Sequence, residues 1–286
     1  MQFKSLDRMI SSAPLRPGKG PPAAVVFAED AVEVRATLRH CLGLGFDPVI
    51  LIDSFGVSLG PDLDAVLVAP VAFRDYGDIS GILNLLIEAL EGRWLHYCFN
   101  AEFLFFPFCE SRRISDVVIF MEEERRTSVQ AYVVDLYSDD LGRDPLGVSL
   151  DHAHLDRSGY YGLNRRADGQ YLDRQFDIFG GLKWRYEEQV PRPLRRIDRI
   201  GLFRSARGLQ IGPDLLFNDA EYNTISCPWH NNMTVAVASF RTAKALRHNP
   251  RSREVIDSFV APQSEPFRWS SQQLMELGLM EPGQWF

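Results

Sequence analysis

Short, wholly apolar runs alternate along the chain with stretches whose apolar positions recur at helical spacing, and that alternation predicts a layered α/β fold. "AAVVFA", Ala23 to Ala28, is apolar at every position, as in a strand covered on both faces. Beyond it Val34, Leu38, Cys41 and Leu42 fall near helical spacing, with Gly43 and Gly45 near the end. "PVILID" gives a second buried strand ending at Asp53, and "AVLVAP" a third ending at Pro70. Ile79 to Gly92 spells an apolar helix stopped by its glycine, and "RWLHYCF" is a fourth strand. Strand, helix, strand, strand, helix, strand is the order of a mostly parallel sheet flanked by helices.

That fourth strand opens "WLHYCFNAEFLFFP", which stops at a polar break and resumes apolar. Asn100 and Glu102 lie two apart, so an extended chain points both to one side. Polar groups at a strand end are where open α/β sheets place ligands, although a strand may simply end at water. Glu29 and Asp30 after the first strand, Asp53 after the second and Glu102 after the fourth add acid at such ends. Carboxylates there can hold ribose hydroxyls, a base edge or a divalent cation, and turns also favour these residue types.

Composition narrows the class. The 286 residues suffice for one large domain or two small ones, and 45% apolar with 24% charged residues is globular. A net charge of −7 argues against a nucleic-acid partner. Four cysteines without a CxxC pair suit free thiols in a reducing compartment, with Cys41 and Cys98 in apolar context. The first 20 residues carry charges and prolines instead of a signal-peptide core, and apolar runs are too short to span a bilayer. The expectation is a cytoplasmic protein with a flexible leader over residues 1–20, since "SSAPLRPGKGPP" offers little to pack. No GxGxxG follows the first strand, and GxxxxGK[ST], HExxH and GxSxG are missing, which lowers the odds of a dinucleotide enzyme or P-loop ATPase.

Taken in order, "VVFAED", "LGFDPVILID", "WLHYCFNAEFLFFP", "VVDLYSDD" and "FDIFGGLKWR" resemble the GT-A-fold glycosyltransferases of family 2, in the bacterial branch akin to family 92. Glu29 stands at the first acid of that pattern and Leu44 to Asp53 match its second block. Trp94, Leu95, Glu102, Phe103, Leu104 and Pro107 match the third, Asp135, Leu136 and Tyr137 the fourth, and Gly180, Gly181 and Arg185 the fifth. The likeness runs from about Ala23 to about His248; each motif is weak alone, and their order carries it. It implies a single main GT-A-like, Rossmann-like domain over residues 21–250, with residues 251–286 a helical extension packed on it. It also implies transfer of a hexose from a UDP- or GDP-linked donor to a glycan or lipid-linked acceptor, with Glu29 and Asp53 holding the nucleoside.

One departure bears on the chemistry. In the register set by Trp94, Glu102 and Pro107, the two aspartates of the family's D-x-D fall on Phe99 and Ala101. Asn100 and Glu102 are left as oxygen ligands facing the diphosphate, a poor set for Mn²⁺ or Mg²⁺. The balance tips toward no metal, with Glu102 and His230 as the candidate ligands if one binds. Between Lys183 and Arg207 eight positive side chains face three negative ones, so Arg185 is the candidate to neutralise the diphosphate; such runs also serve as solvated faces and ion-pair partners. "DHAHLD" has two histidines among acids but lacks a third spaced ligand, and His96 reads as structural. The general base is left open among Asp135, Asp177, Asp219 and Glu221. The alternative is a catalytically degenerate relative that binds a sugar nucleotide or glycan, or serves as an assembly module. Peripheral membrane association is left open, and no transmembrane segment or nucleic-acid partner is expected.

Overall fold

The computed structural model describes residues 1–225 and 232–285. They form two compact units, each built from several stretches of chain. The first comprises Met1–Phe103, Ser111–Gln130 and Ile200–Asn223, the second Leu104–Glu110, Ala131–Arg199 and Thr224–Phe286.

In the first unit the chain runs α1 (Leu6–Ile10), β1 (Ala23–Ala28), α2 (Val34–Leu44), β2 (Val49–Asp53), β3 (Leu67–Pro70), α3 (Ile79–Ala89) and β4 (Trp94–Phe99). β1 pairs in parallel with β2 and β4, and β2 with β3, as the continuous apolar runs require. α2 ends at Gly45, whose φ of 92° only glycine adopts readily, and Asp78 caps α3 by accepting from Ser80 N at 2.8 Å.

The leader is not loose. Leu6 and Met9, three apart on α1, are fully buried in the same core as Phe27, Ile82 and Leu86. The terminal ammonium donates to Val66 O at 2.7 Å, and Arg93 donates to Pro21 O at 2.6 Å and Asp47 O at 2.5 Å. Apolar side chains at helical spacing outweigh the Pro/Gly-rich composition that follows them.

The chain continues through β5 (Glu102–Phe105), α4 (Ile114–Glu123), β6 (Ser128–Ser138), β7 (Ala153–Asp156), β8 (Tyr161–Ala167), β9 (Gln170–Phe179), α5 (Gly181–Arg185) and β10 (Asp198–Arg204). It closes with β11 (Val235–Ser239), α6 (Arg241–His248), α7 (Pro250–Val255), β12 (Ser264–Pro266) and α8 (Ser271–Glu276). In the first unit, β10 lies antiparallel to β4, with Leu202 opposite His96. The fold is α/β, and its sheet is mixed, not purely parallel.

In the second unit β6 pairs in parallel with β11 and antiparallel with β7, and β12 lies antiparallel on β7. β8 and β9 form their own hairpin. A core of Tyr137, Leu141, Leu182, Leu246 and Phe259 lies under α5 and α6. Residues after 250 are integral to this unit, because β12 adds a strand to β7 and Ser271 at the start of α8 donates to Glu110.

Candidate functional site

The polar break that separates β4 from β5 is a turn built from its own side chains. Asn100 is fully buried, its Oδ1 accepting from Glu29 N at 2.8 Å and its Nδ2 donating to Asp30 Oδ1 at 2.5 Å and Val32 O at 2.8 Å. Glu102 is 1% exposed and accepts from Phe99 N at 2.9 Å. Ala101 takes the left-handed conformation at φ 61°, with its N–H donating to Thr37 Oγ1 at 2.9 Å. Asn100 therefore braces the end of β4 against the loop after β1, and Glu102 closes the turn on Phe99 N. Phe99 and Ala101 are buried, and Phe99 packs on Phe27 at 5.9 Å between ring centroids. The turn is a poor ligand set for a divalent cation: Phe99 and Ala101 are apolar, Asn100 is taken up by Glu29, Asp30 and Val32, and Glu102 accepts from Phe99 N. Among the described residues, no three His, Cys, Asp or Glu side chains converge as a metal centre requires. His230 lies outside the described residues.

Asp53 shapes a loop. Its carboxylate accepts from Phe55 N, Gly56 N and Val57 N at 2.8 to 3.0 Å, which folds residues 53–57 into a tight turn. Glu221 is exposed in a short 3₁₀ turn, where its N–H donates to Asp219 Oδ1 at 3.0 Å.

The second unit gathers the remaining candidates into a buried polar cluster. Asp135, near the end of β6, is 1% exposed and accepts from Lys183 N at 3.3 Å through Oδ2. Its Oδ1 is buried without a hydrogen-bond partner. Burial raises its pKa above the ordinary 3.8, with the Lys183 charge opposing. Gly181, at φ +61°, lies so close that a Cβ there would sit 2.7 Å from Asp135 Oδ2. Gly180 packs as tightly on Tyr160, whose Cδ1 would lie 2.2 Å from an added Cβ. The glycine pair thus lets the backbone close on an acid and an aromatic ring, beyond marking a turn. The Tyr160 hydroxyl is likewise buried and unpartnered, and its pKa is pushed well up by burial and then by Asp135 and Asp156.

Arg185 is committed inward. Nη1 donates to Asp156 Oδ1 at 3.1 Å and Nη2 to Phe259 O at 2.7 Å. The Tyr137 hydroxyl also reaches Asp156 Oδ1, at 2.6 Å, and Ser264 Oγ at 2.6 Å. Asp177 is paired rather than open, taking Arg165 Nε at 2.8 Å and Arg196 Nε at 3.2 Å, while the same two arginines grip Asp198. Much of the basic run is therefore internal bracing, with Arg195 on Glu187 at 3.0 Å as well. His154 Nδ1 contacts His152 O at 3.1 Å, and His96 is buried with Nδ1 on Gly201 O at 2.5 Å.

Sequence reasoning did not single out Asp156, Tyr160 or Ser264. One signal was present: Asp156 ends "AHLD", an acid closing a short apolar strand. No family model matches the chain, and no curated protein does. Among the described residues, no helix is long and apolar enough to cross a membrane.

Proposed function

We propose that the chain is of glycosyltransferase type, moving a hexose from a nucleotide diphosphate sugar to a hydroxyl of a glycan or lipid-linked acceptor, with Asp135 taking the hydroxyl proton. The observation that carries this reading is Asp135 itself: a buried carboxylate with an unpartnered Oδ1 and a raised pKa. Such a group sits closer to neutral pH than an ordinary aspartate and suits proton transfer. Its burial means that an acceptor reaches Oδ1 only when the residues around it open. Glu29 and Asp53 are the residues that the resemblance assigns to the nucleoside. Neutralising the diphosphate falls to basic side chains other than Arg185, because Arg185 is held by Asp156 and the Phe259 carbonyl.

A second reading is a non-catalytic relative that binds a sugar nucleotide or glycan, or serves as an assembly module. The internal bonds that consume Asn100 and the position of Glu102 in the turn favour it. Calorimetry with UDP and GDP, with and without Mn²⁺, combined with donor turnover by wild type and Asp135→Asn, separates the two. Nucleotide binding with turnover lost in the variant supports transfer; binding without turnover supports the second reading. Failure of both nucleotides to bind sinks the transfer reading and leaves only the glycan-binding or assembly form of the second.

A further inference from the structure

We propose that the groove along residues 184–189 of the second unit is a pyranose subsite for a neutral glycan. Its choice of ligand rests on the glycan-handling reading given above. The cavity has a volume of about 450 Å³ and is walled by Trp184, Arg185, Tyr186, Glu187, Glu188 and Gln189, closing against Ile256.

Trp184 is 44% exposed yet held in place. Tyr161 meets its indole edge-on at 6.3 Å, and Tyr161 is itself stacked on Phe179 at 5.3 Å. From another side the backbone of Gly159 supports the indole, close enough that an added Cβ would lie 3.4 Å from Cζ3. A large apolar ring fixed in an open position is costly to leave in water and is pre-arranged to receive a flat, weakly apolar face. The C–H face of a pyranose is such a surface, and its hydroxyls need acceptors around the rim.

The polar walls select among ligands. Glu188 and Gln189 present acceptors and an amide, and Glu187 shares its carboxylate with Arg195. Arg185 points away toward Asp156 and the Phe259 carbonyl. A phosphate therefore meets carboxylates with the lining guanidinium already engaged, whereas hydroxyl donors find what they need. The Tyr186 face is not open to a quaternary ammonium, because Arg185 Cζ already lies 5.4 Å from its ring centroid.

The test is a printed array of neutral and acidic oligosaccharides that also carries phosphocholine, probed with wild type, Trp184→Ala, Trp184→Phe and Glu188→Ala. Calorimetry on the strongest hit then gives affinities, and circular dichroism checks that each variant is folded. The expected result is binding to one or more neutral oligosaccharides, weakened about tenfold or more in Trp184→Ala and largely kept in Trp184→Phe. If Trp184→Ala does not fold, a clear loss in Glu188→Ala carries the same weight. The proposal is overturned by no binding on any glycan spot, by equal binding in the folded variants, or by capture on phosphocholine alone. UDP calorimetry on the same proteins keeps the two readings apart. Glycan binding dependent on Trp184 without nucleotide binding leaves the subsite standing and removes the transferase reading. Nucleotide binding without glycan binding does the reverse.

Discussion

The Tyr137 hydroxyl donates to Asp156 Oδ1 at 2.6 Å, and the same oxygen takes Arg185 Nη1 at 3.1 Å. A tyrosine and an arginine thus share one buried carboxylate, with the guanidinium 5.7 Å from the Tyr137 ring centroid. Tyr137→Phe keeps the ring in its core and removes only the donor. It should cost about 1–3 kcal/mol in urea unfolding, because Asp156 and Ser264 each lose a buried partner. An unchanged midpoint would show that Arg185 alone satisfies the acid.

Asp135 gives a pH prediction whose sign follows from burial. Its folded-state pKa is raised above the ordinary 3.8, so the folded chain favours the protonated acid. Its contribution to stability is full below that ordinary value and is lost as pH climbs through the raised one. Asp135→Asn should flatten the thermal stability profile above about pH 4 and be no less stable than wild type at neutral pH. A variant that melts with the wild-type pH dependence would show that other groups set the profile.

Asn100→Ala removes the acceptor for Glu29 N and the donors to Asp30 and Val32. A loss of about 2–4 kcal/mol in chemical denaturation is expected, since several buried groups lose their partner together. UDP affinity should be equally indifferent to Mn²⁺ in the variant and in wild type. A Mn²⁺ requirement that vanishes with Asn100 would instead make the residue a ligand.

Placing aspartate at Phe99 should not create a metal site. The ring is 1% exposed and packed on Phe27, so Phe99→Asp buries a charge in the main core of the first unit. The variant should lose at least about 4 kcal/mol or fail to fold, read by circular dichroism and denaturant titration. A stable variant that gains Mn²⁺ binding would restore the metal reading of this turn.

Gly180→Ala should destabilise by about 2 kcal/mol or more, through overpacking. Its Cβ would fall 2.2 Å from Tyr160 Cδ1, a contact that must shift. Truncating the partner tests the cause: Tyr160→Ala should relieve most of the added cost of Gly180→Ala in a double-mutant cycle.

Most elements between residues 23 and 100 were decided by sequence alone, because continuous apolar runs and glycine stops are local signals, whereas α1 was hidden in a stretch whose composition offered little to pack. β1, β2, β3 and β4 end where the runs end, α2 stops at Gly45, and the break at Asn100 separates β4 from β5. Within the expected C-terminal helical extension, Ser271–Glu276 form α8. How strands pair was not legible: β10 lies antiparallel on β4 through contacts more than a hundred residues apart, for which no local pattern exists.

Tertiary structure alone decided what the polar residues do. Asp53, Asn100 and Glu102 carry the residue types of a ligand site, yet the turns around them present backbone N–H groups that need acceptors, and these side chains supply them. Arg185 and Asp177 looked open because their partners, Asp156, Arg165 and Arg196, lie on other strands and loops. Asp135 keeps an unpartnered Oδ1 in a buried setting, with Gly181 packed on its Oδ2, an environment that no spacing along the chain encodes.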